Sequence, residues 1–160
     1  MSNGGGGEHE GGVRPPPPLI YFAFLVIGLV VNLFYPLPFW PGGTLALLLL
    51  GLGVVIGGLG IGGLGLRAMM RAGVSPTPWK VPGRLVKDGP FGYSRNPLYL
   101  SLALVYLGIT VAVNTVWPLA SLVFALVFVD RVVIRQEEKF LEKRFGEEYQ
   151  SYKLKVRRWM

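Results

Sequence analysis

Two short polar groups could do chemistry in an otherwise oily chain: Arg95-Asn96-Pro97-Leu98-Tyr99 directly before an apolar run, and Glu137-Glu138 directly after another. Asparagine is favoured just ahead of a helix, and proline suits the first turn because its missing N–H would have lacked a partner anyway. The spacing therefore predicts a helix beginning at Pro97. The free amides and positive dipole end of that helix, beside Arg95, would hold a carboxylate or phosphate. The same residues also describe an ordinary cap with an interfacial arginine. Glu138 shares a helical stripe with Ile134, Leu141 and Phe145, and an acid on an oily stripe is a candidate for function rather than solvation. Asp130 and Arg131 fall within Phe128 to Ile134, where charge is costly unless paired or close to water; they either snorkel or line a polar cavity. Beyond Gly146, Tyr149, Tyr152 and Val156 recur at i, i+3 and i+7, which predicts an amphipathic turn along a membrane interface, anchored by Arg157, Arg158 and Trp159.

Composition removes several chemistries. With no cysteine and a single histidine, His9 in a glycine-rich leader, there is no thiolate nucleophile and no disulfide, and zinc sites and Ser-His triads lose their basis. No metal is expected. The net charge of +7 flanks apolar spans instead of forming an aromatic-studded polar face, so the expected partners are anionic membrane lipids and not nucleic acid.

The elements that must position these groups are helices in lipid. Apolar residues make up 51% of the chain, and four runs stand out: 19–35, 43–66, 98–113 and 116–134. A spanning helix needs roughly 20 residues, so the second and fourth fit easily while the first and third must recruit flanking residues. The expected fold is all-α: a polytopic transmembrane bundle of four spans with a C-terminal amphipathic cytoplasmic segment. Basic residues cluster at Arg14, from Arg67 to Arg95, and from Arg131 onward, while the connections at 36–42 and 114–115 carry no charge. Positive charge stays inside, which puts both termini and the middle loop in the cytoplasm, as an even number of spans requires. The parts are a Gly/Pro leader at 1–18 ending in a stiff polyproline segment, spans one and two at 19–66, a turn-rich loop at 67–96, and spans three and four with their tail at 97–160. The fourth helix is expected to run on to Phe145 and stop at Gly146. Gly58, Gly60 and Gly63 match a dinucleotide fingerprint in spacing only, with neither the strand nor the acid it needs. Small residues four apart, Gly53 with Gly57 and Gly58 with Gly62, instead predict close helix packing.

Taken together, Gly89-Pro90, Tyr93, Arg95-Asn-Pro-Leu-Tyr99, Glu137-Glu138, Phe145-Gly-Glu-Glu-Tyr-Gln-Ser-Tyr152 and a terminal basic residue resemble the isoprenylcysteine carboxyl methyltransferase and phospholipid methyltransferase family of integral membrane enzymes. The resemblance runs from Gly83 to the end. It implies S-adenosylmethionine as methyl donor, a lipophilic small-molecule or lipid acceptor, and a cofactor pocket built from Tyr93, Arg95, Asn96, Pro97, Tyr99, Glu137, Glu138, Tyr149 and Tyr152. Arg95 and Glu138 are the catalytic candidates, with Asp130 and Arg135 behind them. One departure is Asn96, where the family pattern usually has histidine; asparagine hydrogen-bonds but does not titrate near neutrality. The implied setting is a prokaryotic plasma (inner) membrane. Two other functions fit parts of the pattern: a nicotinamide-dependent membrane reductase of sterol-reductase type, which shares the C-terminal half, and a non-enzymatic membrane assembly protein.

Overall fold

The structure, a computed structural model, describes residues 16–42, 44–75 and 83–160. All regular elements among them are helical: α1 (Pro17–Phe34), α2 (Thr44–Arg71), a 3-10 turn at Gly89–Gly92, α3 (Pro97–Val113), α4 (Val116–Phe128), a π-helical segment at Val129–Ile134, α5 (Arg135–Phe145) and α6 (Glu147–Lys155). Residues 1–15 of the leader and residues 76–82 of the turn-rich loop lie outside the described residues. Pro17 and Pro18 are not polyproline; they open α1, where proline's fixed φ matches the helix.

Three helical stretches are long and apolar enough to cross a membrane: Pro17–Phe34, Leu45–Arg71 and the continuous Val116–Phe145. The expected third span, α3, is an apolar helix of 17 residues. At 1.5 Å per residue it rises about 26 Å, short of the roughly 30 Å hydrocarbon layer. α2 overruns the expected end at Leu66, because Arg67-Ala-Met-Met-Arg71 contains no breaker; the chain leaves the helix at Gly73, whose positive φ of 69° closes the terminus.

α2 packs along α3, and α1 along α4. The α2–α3 seam is made by Gly51, Gly58, Gly62 and Gly65, which share one helical face. A Cβ on Gly51 would sit 2.5 Å from the Gly108 carbonyl oxygen, and one on Gly58 would sit 3.0 Å from the Val105 nitrogen. The Gly58 and Gly62 expectation holds, whereas Gly53 and Gly57 face open space on the other side of α2. Both pairs obey the same spacing, and only the direction of the neighbouring helix separates them. In the α1–α3–α4 core, Tyr21 and Tyr106 meet edge to face at 6.5 Å, and the Tyr106 hydroxyl lies 2.7 Å from Ser121 Oγ.

At the end away from the charges, Asn114 takes a left-handed φ of 54°, and its side chain bonds the Trp40 nitrogen at 3.0 Å and the Trp40 oxygen at 2.7 Å. Asn114→Ala loses both bonds and places a less tolerant residue at positive φ. We expect about 1–3 kcal/mol of lost stability, read as a lower thermal midpoint in detergent, with Asn114→Gly intermediate.

Candidate active site

At the charged end, α4 passes through the π-helical segment into α5, stops at Gly146 with φ 50°, and turns back as α6. The tyrosine stripe of α6 does not lie along an interface. Tyr149, Tyr152 and Val156 are buried against Leu141 and Phe145 of α5 and against Leu85, and Tyr152 donates to the Phe91 carbonyl at 2.6 Å. The stripe found protein because the α5 face carrying Leu141 and Phe145 folds directly over it. Burial raises both phenols above their ordinary range, and the Glu138 charge adds to this at Tyr149 while Arg95 opposes it. Both stay protonated at neutral pH, so neither serves as a phenolate base.

The two polar groups singled out in the sequence meet. Arg95 Nη1 lies 3.0 Å from Glu138 Oε1, with the two side chains 11% and 10% exposed. Tyr99 donates to Glu137 Oε1 at 2.6 Å. The larger partner of Glu138 is a residue expected elsewhere. Arg158 bonds Glu138 through Nε to Oε1 at 3.0 Å and through Nη2 to Oε2 at 2.5 Å, while its Nη1 reaches both Asp130 oxygens at 3.2 Å. Trp159 Nε1 donates to Asp130 Oδ1 at 3.0 Å. Arg158 and Trp159 are therefore ties within the protein and not interfacial anchors, because a half-buried carboxylate pair offers them more than headgroups do. The bonds to Glu138 hold the Arg158 proton even more firmly than usual, although burial works against them. The π-helical segment makes this geometry possible. Residues eight apart in an unbroken α-helix lie about 80° apart round the axis, and the wider π turn narrows that angle so that Asp130 and Glu138 both reach one guanidinium.

The strip before α3 is held by the same tail. The Arg95 amide donates to the Arg157 carbonyl at 3.0 Å, and Asn96 Nδ2 and Ser94 Oγ donate to the Arg158 carbonyl at 3.0 and 3.3 Å. Asn96 does stand at the start of α3, but its side chain makes no capping bond to that helix. The cap expectation fails on chemistry, since the amide is committed to the tail.

A cavity of about 870 Å³ adjoins this cluster. Ile61, Leu64 and Leu100 give it apolar walls, and Tyr93, Ser94, Pro97 and Met160 bring the strip and the tail to it. Arg67, Arg71 and Arg84 also line it, with Asp88 the carboxylate among the described residues there. None of these three arginines forms an ion pair among the described residues. The expected site residues thus divide. Tyr93, 83% exposed, and Pro97 face the cavity; Arg95, Asn96, Tyr99, Glu137, Glu138, Tyr149 and Tyr152 are not among its lining residues, and those of them described above form the bonded, packed layer behind it. Arg135 is exposed. Arg67, Arg71, Arg84, Asp88 and Met160 were missed. In the sequence the arginines register only as charge that sets topology.

A bundle of lipid-length helices with a polar end is the architecture of a multi-pass membrane protein. The family model of phospholipid methyltransferases matches residues 44–148, about two thirds of the chain, and the protein belongs to that family. An uncharacterised protein of Haemophilus influenzae is 44% identical over 64 residues, which cover 39% of this chain and 100% of that protein. No solved structure matches.

Proposed function

We propose that this protein transfers a methyl group from S-adenosylmethionine to a lipophilic acceptor at the cytoplasmic face of a prokaryotic plasma membrane, with both termini in the cytoplasm. The observation that carries the reading is the cavity at the charged end, which runs from lipid-length α2 to the strip before α3. Its volume of about 870 Å³ falls in the roughly 300–1,000 Å³ range of small-molecule sites.

The residues present fit the cofactor. Arg95 Nε and Nη1 are buried and have no aligned hydrogen-bond acceptor, despite the ion-pair contact to Glu138. Orphaned cationic donors beside a cavity suit a carboxylate. When bound, the cofactor supplies an electrophilic methyl on a sulfonium, so the chain needs no nucleophile of its own. Its residues align and dry the site. Arg95 holds the cofactor carboxylate, while Glu138, committed to Arg95 and Arg158, fixes the setting of that arginine, and Glu137 serves the cofactor's ammonium or ribose hydroxyls. Tyr93 and Pro97 meet its apolar parts, and Tyr99, Tyr149 and Tyr152 stiffen the layer behind.

The acceptor's polar group lies among Arg67, Arg71 and Arg84, with its apolar part along Ile61, Leu64 and Leu100. These arginines suit a phosphodiester or a carboxylate, and so leave both an isoprenylcysteine-like acid and a phospholipid in range. A carboxylate or thiolate acceptor requires no base. An amine acceptor must lose a proton, and Asp88 is the better recipient, since Glu138 is already committed to Arg95 and Arg158.

The test is incubation of purified protein with isotopically labelled methyl donor and native lipid extract, followed by mass spectrometry of the products. Labelled lipid supports the reading; tight NADPH binding with no labelled product favours the reductase. A further expectation concerns Arg67→Gln, Arg71→Gln and Arg84→Gln combined. The acceptor KM rises about tenfold or more, while the cofactor Kd and the thermal midpoint hold, because the substituted side chains bond no protein acid among the described residues.

A further inference from the structure

We propose that Arg158 is a positioning residue whose task is to keep Glu138 from closing onto Arg95. The inference rests on the cofactor reading above, and deepens it by naming what keeps Arg95 free for a carboxylate.

The argument is one of saturation. Glu138 has two oxygens, and Arg158 engages both in a parallel fork, Nε to Oε1 at 3.0 Å and Nη2 to Oε2 at 2.5 Å. Arg95 touches only Oε1, at 3.0 Å and without hydrogen-bond alignment, which leaves its Nε and Nη1 buried and unsatisfied. Two arginines compete for one carboxylate, and the fork decides the winner. Arg158 is itself fixed from the far side, where Asp130 takes Nη1 at 3.2 Å and is in turn bonded by Trp159 at 3.0 Å. Its carbonyl receives Asn96 and Ser94, and Ser94 lines the cavity, so the tail that holds Glu138 is registered against the cavity wall. Without Arg158, Glu138 would have one buried cation left to pair with, and Arg95 would give up its spare donors in a two-bond ion pair. The π-helical segment serves this arrangement because it lets Asp130 and Glu138 grip Arg158 together.

The test compares binding of S-adenosylhomocysteine with binding of its decarboxylated analogue, by calorimetry on the full chain in detergent. Wild type is expected to favour the carboxylate-bearing ligand about tenfold or more, the usual size of a charge-assisted bond. In Arg158→Gln that preference vanishes, while affinity for the decarboxylated analogue changes little. Adding Glu138→Gln to Arg158→Gln removes the competing carboxylate, keeps the cluster neutral and restores the preference. A purely structural tail predicts otherwise: both ligands weaken together and the double variant is no better than the single, which overturns the proposal. If Arg158→Gln alone proves too unstable to purify, wild type and the double variant still decide, since a double variant that lacks carboxylate preference also overturns it. A wild type that binds neither ligand removes the cofactor reading itself, and this inference with it, a result distinct from a failure of discrimination.

Discussion

Glu138→Ala is expected to destabilise the protein by about 3–5 kcal/mol and to abolish methyl transfer. The carboxylate is shared by Arg95 and Arg158 on opposite sides, and its side chain is 10% exposed. Truncation leaves Asp130 to balance both cations, and of the two it reaches only Arg158. Removing one member of a buried pair costs far more than the pair was worth, because the survivor stays desolvated and uncompensated. Here the survivors are two, and they repel. Thermal melts in detergent measure the first effect, and labelled methyl transfer at a temperature where the variant is folded measures the second. Glu137→Ala is the informative control. Glu137 accepts from the Tyr99 hydroxyl at 2.6 Å and sits outside the Arg95–Glu138–Arg158 cluster, so its stability loss should be markedly smaller. Equal losses for the two variants would mean that the arginine clamp contributes nothing particular.

How the site was foreshadowed in the sequence follows from what hydrophobic pattern and charge can and cannot encode. The helices were legible, since oily runs in lipid have no alternative to helix and Pro97 and Gly146 punctuate them. The meeting of Arg95 with Glu138 was legible only through the resemblance, which implies one pocket for both; the residues by themselves mark an anion site and an acid on an apolar stripe. The tail was not. Tyr149 and Tyr152 alternate with charge in a way that serves an interface or a protein groove equally well, and only the fold-back at Gly146 chooses the groove. The role of Arg158 depends on a π-helical segment, and Val129-Asp-Arg-Val-Val-Ile134 carries no signal for an extra residue per turn. Arg67, Arg71 and Arg84 speak only of topology in the sequence, because their spacing along the chain says nothing about facing one cavity across two segments.

The α2–α3 seam sets the shape of that cavity, and Gly108→Leu is the variant expected to distort it most. A Cβ at Gly108 would meet the Gly51 carbonyl oxygen at 2.6 Å, the Val55 Cγ2 at 2.7 Å and the Val55 nitrogen at 2.8 Å. Two of these are backbone atoms and cannot rotate away, so the helices themselves must separate. Overpacking of this kind costs about 1–3 kcal/mol even where side chains can adjust, and a whole leucine between two backbones lies at or above the top of that range. The consequence reaches the site by leverage. Ile61, Leu64, Arg67 and Ala68 line the cavity from α2, and Pro97 and Leu100 line it from α3. Splaying the pair at Gly108 moves these walls apart at their charged end. Methyl transfer should fall with the thermal midpoint, and acceptor affinity should fall further than the melt alone explains. Gly57→Leu adds the same bulk to the partner helix α2, where a Cβ meets nothing within 4 Å, and should leave both measurements near wild type. Loss of activity in Gly57→Leu comparable to that in Gly108→Leu would show that the outward face of α2, and not its seam with α3, governs the reaction.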